Sequence, residues 1–519
     1  MDNPNTLESL LAAMQNSIFY PHAVSEIQLI ETHISYIILT GDYAYKLKKP
    51  VRFDFLDYST LALRQHHTEL ELTLNRRLAP QIYLTVLAVI KTSAQQFILK
   101  STTELSEHDT VVEYVLKMRQ FASNQEFDHL LEQGKLPLDL MPKLAQQIAQ
   151  FHQQAERAAS NTLFGTPPAI YDLMHENFTT LAHIPLPAAH RATLNTLEQW
   201  TQVQYQALSP LLEQRKQQGF IRACHGDLHL GNIALIEGQP TAFDGIEFNE
   251  QLRWIDTLCD LAFLMMDLEA RHAPTHARRV LNEYLSATGD YSALALLNFY
   301  KIYRALVRAK VQGLQIQQHT DEQQGASYQE HCIDYINLAK HYTQTTSPQL
   351  FITHGLSGSG KSWGCRTLVD EYGVIQVRSD VERKRLVGLH ATERASTGLQ
   401  QGIYAPAMSQ KTYHYLLELS ELILTAGYSV VVDAAFLERS HRDPFAQLAQ
   451  RLNLPFTILH FSATPQQLAQ NIRTRLANNQ DASDADLSVL QQQLAHYQPL
   501  EADEPIISIA FGTKIVLTH

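Results

Sequence analysis

Residues Gly355-Leu-Ser-Gly358-Ser359-Gly360-Lys361-Ser362 fit the pattern G-x-x-x-x-G-K-[ST] at every fixed position, and no other stretch restricts the fold as tightly. The apolar run QLFITHG precedes it and a helical pattern follows. A strand, a glycine-rich turn and a helix in that order predict an α/β unit built on a parallel sheet. The glycines let backbone N–H groups face a row of phosphates without Cβ clashes, and the helix N-terminus adds positive potential. Lys361 is then expected to reach the β- and γ-phosphates of ATP, and Ser362 to ligate Mg²⁺.

The rest of the C-terminal part carries the groups such a loop needs. A second apolar strand, SVVVD, ends in Asp433, a candidate holder of the Mg²⁺ shell. The run VIQVRSDVERKRL delivers Arg378, Ser379 and Asp380 to the carboxyl end of a strand, where ligands bind in open α/β sheets. Asp380 is the candidate to accept or orient the proton of an acceptor hydroxyl. Arg378, Arg383 and Arg385 are placed to grip an anionic acceptor or the phosphoryl group in transfer. In NIRTRLANNQDASDADL, Arg473 and Arg475 precede a polar, small-residue stretch whose composition suits a lid closing over phosphates. Together these residues give roughly 349–519 a resemblance to the small P-loop kinases of the gluconate kinase, polynucleotide kinase and zeta-toxin group. The resemblance implies ATP binding and leaves the acceptor open.

The first part of the chain carries a different pattern with the same chemical logic. His225-Gly-Asp227-Leu-His229-Leu-Gly-Asn232 is followed by Phe243-Asp244-Gly245. Phosphoryl transfer needs an acid for the acceptor proton, and an amide and a second acid to hold Mg²⁺ against the triphosphate. Asp227 is the expected base, Asn232 and Asp244 the expected metal ligands, and His225 orients the loop. A cation for the nucleotide phosphates is offered by YAYKLKKP, where Lys46 and Lys48 share one strand face; Lys46 is preferred, with Glu71 as its partner and Glu69 in reserve. Over roughly residues 20–340 this set resembles the aminoglycoside-phosphotransferase-like kinases, which implies a small β-rich lobe over a helical lobe. One departure is visible: IETHIS stands where a glycine-rich phosphate-covering loop is expected.

The whole layout resembles a bacterial family of fusions of these two domains. The fold class expected is an α+β, protein-kinase-like bilobal domain (residues 1–346) followed by an α/β P-loop domain (347–519). Strands are read at EIQLI, SYIIL, YAYKL, TVLAVIK and VVEYVLKM, with a helix from about Leu61 to Leu78 on Leu63, Leu70, Leu72 and Leu74. Glu247, Glu250, Asp256 and Asp260 are either an acidic pocket for a cationic acceptor or structural hydrogen-bonding groups. RALVRAKV reads as a solvated basic helix face.

The net charge is −12, with −10 on residues 1–349 and −2 on 350–519, which argues against a general nucleic-acid binder and makes the second part the better host for an anionic acceptor. The four cysteines form no CxxC pair, the N-terminus has no signal-peptide pattern, and no run approaches a membrane span; a cytoplasmic, non-membrane protein is expected. The function expected is an ATP- and Mg²⁺-dependent bifunctional phosphotransferase whose partners are small-molecule hydroxyl acceptors, with oligomeric state open. Two alternatives stand beside it. In one, the N-terminal domain is a nucleotide-binding regulatory module. In the other, the C-terminal domain is a nucleic-acid end kinase or sugar-nucleotide kinase.

Overall fold

β-branched and aromatic residues alternating with polar ones between Gln28 and Arg119 form a six-stranded antiparallel sheet in a computed structural model of the chain. The model describes residues 4–53, 56–318, 322–391, 393, 405–478, 483, 485–495 and 497–517. Its packing groups Met1–Leu173 with Ser209–Asp267, and Met174–Leu208 with Leu268–His519.

In the first unit the strands lie in the order Gln28–Glu31, Ser35–Leu39, Tyr43–Lys48, Val111–Arg119, Tyr83–Lys91, Phe97–Ser101. Five match the sequence reading; Phe97–Ser101 was not anticipated. One face closes on Leu10, Met14, Ile38, Tyr45, Leu47, Val89 and Val115. The other face takes helix Leu61–Asn75, capped by the Thr60 hydroxyl, which accepts from Leu63 N at 3.3 Å. The buried stripe of that helix is polar: Arg64, Thr68, Glu71 and Asn75. The leucine spacing marks the helix, while Leu61 and Leu72 pack only partly buried at the edge of this stripe. Arg64 donates to Glu113 at 2.7 Å and to the Tyr58 carbonyl at 2.9 Å, so the polar stripe is matched by partners inside the lobe. Beyond the sheet come helix Leu140–Gln154, the short pair Ile221–Ala223 with Trp254–Asp256, and the hairpin Ile233–Ile236 with Gln239–Ala242. This is the kinase-like lobe expected from the sequence.

The second unit is built on a five-stranded parallel sheet in the order Ile375–Arg378, Val430–Asp433, Leu350–His354, Phe456–Ser462, Ile506–Ala510. In chain order that is 2-3-1-4-5, so the direction of winding reverses beside strand Leu350–His354, and the phosphate loop leaves the sheet at that crevice. This is the fold of a P-loop kinase. Val430–Asp433 is buried along its length, with three successive valines before Asp433, as suits an inner parallel strand.

Helices Pro274–Thr288, Leu294–Gln318 and Glu322–His341 belong to the same unit. Arg279 pairs with Asp370 through two N–H···O contacts, and Arg278 donates to the carbonyls of Asp370 and Glu371 at 3.0 and 2.8 Å. Those carbonyls end helix Lys361–Tyr372, where a cation is favourable. We retain residue 347 as the proposed start of the P-loop fold itself, whose first strand is Leu350–His354. Arg304, read from sequence as part of a solvated face, is 3% exposed.

Candidate functional site

In the first unit the Lys46 ammonium donates to Glu71 Oε1 at 2.8 Å and to Asp244 Oδ1 at 2.7 Å. The strand Tyr43–Lys48 thus brings the expected cation to both the expected helix acid and the expected metal acid. The carboxylates differ in access: the Glu71 side chain is 1% exposed, Asp244 46% and Asp227 38%. Burial alone would raise the Glu71 carboxyl, but Lys46 and Lys48 outweigh it and hold it at about 2. Burial likewise works against the Lys46 charge, and Asp244 and Glu71 overcome it and push the ammonium well above its ordinary value.

The Asp227 loop and the Asp244 turn are joined through His225. Its Nε2 donates to the Phe243 carbonyl at 2.9 Å, which leaves Nδ1 to accept from Asp227 N at 3.3 Å. Burial lowers this imidazole below its ordinary value, consistent with the neutral tautomer those bonds demand. The histidine therefore orients the loop, as expected. Asn232 Nδ2 donates to the Asp227 carboxylate at 3.2 Å and to its carbonyl at 3.0 Å, so the expected base and the expected amide ligand lie in hydrogen-bond contact. Asp244 sits at φ +59, a backbone strain held by Asn75, whose Oδ1 accepts from Gly245 N at 2.7 Å, and by Tyr83, whose hydroxyl accepts from Asp244 N at 2.9 Å.

Several acids are used internally. Asp260 accepts from His225 N at 3.1 Å, Gly226 N at 2.9 Å and His152 at 3.1 Å. Asp256 takes Arg215 in a two-pronged pair at 2.6 and 2.8 Å. Glu247 binds Lys48 and Tyr58. These three are structural groups rather than an acceptor pocket; Glu250 is 65% exposed. Sequence reading missed the parts played by Asn75, Tyr83 and Tyr58. Nothing in their spacing marks them, because each acts across more than a hundred residues of chain. The IETHIS segment is a tight hairpin turn, with Thr32 N donating to Ser35 O at 2.9 Å and Ser35 N to Thr32 Oγ1 at 3.0 Å.

In the second unit a cavity of about 1700 Å³ opens at the carboxyl edge of the sheet. It is lined by the loop residues Gly358, Gly360, Lys361 and Ser362, and by Arg378, Asp380, Arg383, Asp433 and Arg475. Gly358 holds φ +84 and Gly360 φ +87, conformations that L side chains rarely adopt. Lys361 donates to the carbonyls of Gly355 and Leu356, both at 2.9 Å. Burial lowers its ammonium, opposed by Asp433 and Asp380. Ser359 is buried behind the loop, 2% exposed. Asp433 is 5% exposed; its Oδ2 accepts from Gln376 Nε2 at 3.0 Å and stands 3.8 Å from Arg378 Nε. Gln376 is itself fixed by its N–H to Asn282 Oδ1 at 2.8 Å. Arg383 lies 3.7 Å from Asp380, one helical turn away. A backbone cradle, a half-buried lysine and a buried carboxylate at one strand edge fit a triphosphate with its divalent cation.

Two of the expected arginines do not join this cavity. Arg473 is exposed on helix Pro465–Asn478 while Arg475 lines the cavity, because residues two apart on a helix point to different faces. Arg385 turns away to Glu382 at 2.9 Å and to the Ser286 carbonyl. Residues 479–482 and 484 of the expected lid lie outside the described residues. Phe511, unremarked in the sequence, lines the cavity 41% exposed, with its ring against Gly360.

Fold and site define a chain with a kinase-like lobe and a P-loop kinase sheet, each with a lysine-and-carboxylate pocket. Residues 350–500 match the family model described as an AAA domain. Uncharacterized proteins of Mycobacterium tuberculosis (strain ATCC 25618 / H37Rv) and Mycobacterium bovis (strain ATCC BAA-935 / AF2122/97) are each 29% identical over 458 residues, covering 88% of both chains. Among solved structures, a choline/ethanolamine kinase family protein from Mesorhizobium loti aligns with 65% of this chain and 98% of its own, at 11% identity and TM-score 0.37. A gluconokinase from Sinorhizobium meliloti 1021 aligns with 32% of this chain and 85% of its own, at 20% identity and TM-score 0.23. Among the described residues no helix is long and apolar enough to cross a membrane.

Proposed function

We propose that the chain is an ATP-dependent phosphotransferase with two sites, each moving the γ-phosphoryl group to a hydroxyl of a small-molecule acceptor. The observation that carries the reading is the Lys46 ammonium held between Glu71 and Asp244, with His225 tying that turn to the Asp227–Asn232 loop. A cation for phosphates, two metal-ligand candidates and an open acid on segments joined through His225 are the parts that phosphoryl transfer requires.

In the first site Lys46 holds the nucleotide phosphates, Asn232 and Asp244 hold Mg²⁺, and Asp227 takes the acceptor proton. In the second, the backbone of Gly355–Ser362 and the Lys361 ammonium hold the triphosphate, Ser362 and Asp433 hold Mg²⁺, and Arg475 faces the phosphates. Asp380 orients the acceptor hydroxyl, with Arg378 and Arg383 beside it. When bound, Mg²⁺ supplies charge neutralisation to the phosphate oxygens.

The test is consumption of γ-labelled ATP by the full chain against a panel of sugars, polyols and phosphorylated metabolites. Asp227→Ala is expected to abolish one labelled product and Lys361→Ala the other. Unchanged labelling in both variants refutes the proposal.

A second reading has the first unit binding nucleotide only to regulate the second. The tight Thr32–Ser35 turn, in place of a glycine-rich cover, favours it. It prevails if Asp227→Asn and Asp244→Asn leave every ATP-dependent activity intact while nucleotide still binds.

A further inference from the structure

Beneath the Lys46 pair lies a second lysine that the scheme above does not use. Lys48 is 2% exposed, and its ammonium meets three oxygens: Glu71 Oε2 at 2.7 Å, Tyr58 OH at 3.1 Å and Glu247 Oε1. An ammonium has three N–H donors, so this one is saturated and has nothing left for a ligand. Tyr58 completes the set by donating its own proton to Glu247 Oε1 at 2.6 Å. Lys46, by contrast, is bound to a single Glu71 oxygen, and its other partner, Asp244, opens to solvent. The two lysines alternate along one strand face and divide one glutamate between them.

We propose that Lys48 is a positioning residue for the first site: it neutralises Glu71 and Glu247 from inside the lobe, so that Lys46 can exchange Asp244 for a phosphate oxygen. This rests on the reading that Lys46 binds nucleotide. The pocket contains two ammonium groups, Lys46 and Lys48, against three carboxylates, Glu71, Asp244 and Glu247. The remaining charged and titratable groups facing it are Arg253, whose guanidinium donates to the Ile246 and Glu247 carbonyls at 3.2 and 3.3 Å, Tyr58, Tyr83 and, one helical turn before Glu71, His67. Burial raises both tyrosines and lowers His67, so Tyr58, Tyr83 and His67 stay neutral near pH 7, while Arg253 keeps its charge in the parent and in the variant alike. Without Lys48, Lys46 is the one ammonium left against three carboxylates, and the Arg253 guanidinium is already engaged by main-chain carbonyls and Glu250. Two of these are buried, and burying unpaired charge is costly enough that one takes up a proton. Above that carboxyl's raised pKa the excess negative charge grips Lys46 and repels phosphate. Below it the original balance returns.

The experiment uses the full chain carrying Lys361→Ala, which silences the second site. Affinity for a non-hydrolysable ATP analogue with Mg²⁺, and the thermal midpoint, are measured from pH 6 to 8. Lys48→Met preserves the shape and removes the charge. It is expected to lose about tenfold in affinity across that range, and its thermal midpoint is expected to fall below the parent's by a growing margin as pH rises. Adding Glu247→Gln restores the charge balance and should flatten both profiles. The proposal is overturned if Lys48→Met matches the parent, or if its deficit is independent of pH and Glu247→Gln brings no recovery. If the parent itself binds no analogue, the functional reading of this pocket falls; the thermal profiles still decide whether Lys48 neutralises the two glutamates.

Discussion

Replacing Gly358 with alanine tests the phosphate loop where its geometry is least forgiving. At φ +84, an L-residue costs about 1–2 kcal/mol. A Cβ there would also lie 2.7 Å from the Leu468 carbonyl oxygen and 3.2 Å from Ile472 Cγ1. Both neighbours belong to helix Pro465–Asn478, so neither is a flexible side-chain tip free to swing aside. The loop is tied to the same helix by Asn471 Nδ2, which donates to the Gly358 carbonyl at 2.7 Å. Forcing the methyl in adds about 1–3 kcal/mol of overpacking. The combined cost, about 2–5 kcal/mol, falls on the conformation that presents the N–H groups. At about 1.4 kcal/mol per tenfold, ATP affinity should drop about 30-fold or more. Gly427 is the control: it holds φ +88 with nothing within 4 Å of its Cβ position, so alanine there incurs only the backbone term and should leave affinity unchanged. The assay is a calorimetric ATP titration of the full chain in a Lys46→Met background, which removes the first site. The cradle argument fails if Gly358→Ala binds ATP within about threefold of its parent, or if Gly427→Ala weakens binding equally.

Other outcomes follow from the same geometry. Because Glu71 is held at about 2, below its ordinary value of 4.5, its ion pairs stabilise the first unit fully above about pH 5 and are lost as pH falls toward 2. Thermal midpoints between pH 5 and 2 should show that loss, and Glu71→Gln should remove it while lowering stability at pH 7. Phe511→Ala should raise the KM for ATP at the second site by about tenfold, since stacking on an aromatic ring is worth about 1–3 kcal/mol per base, while binding of inorganic tripolyphosphate stays unchanged. Arg475→Ala should lower kcat at the second site and Arg473→Ala should not, as read by product formation, because only Arg475 faces the cavity.

Much of the chemistry was legible along the chain because it resides in short segments. The Gly355–Ser362 loop, the Asp227–Asn232 loop and Asp244 are each set by a strand end and the turn after it, and local sequence dictates both. The period-two spacing of Lys46 and Lys48 is equally plain, and Lys46 is the preferred ligand-facing group, but what enforces that choice is not local. That choice came from Glu247 and Tyr58, residues 199 and 10 positions from Lys48, which close over it inside the lobe. Helix Leu61–Asn75 shows the limit most clearly: its leucine spacing marks a helix and Glu71 is read as a partner for Lys46, but that Arg64, Thr68 and Asn75 join Glu71 in the buried stripe is not written in that spacing. Periodicity records where apolar groups stand on a helix, whereas burial depends on what the rest of the fold offers opposite them.

By itself, the sequence determined the two strand–turn constellations and the change from an antiparallel lobe to a parallel sheet, since hydrophobic period and glycine placement are local properties. Only the tertiary structure decided which acids are open and which are locked in internal pairs. It also turned Arg475 but not Arg473 toward the cavity, and packed helix Pro274–Thr288 against the strand that carries Gln376 to Asp433. Each of those outcomes depends on desolvation and on partners brought from distant positions, which no local pattern encodes.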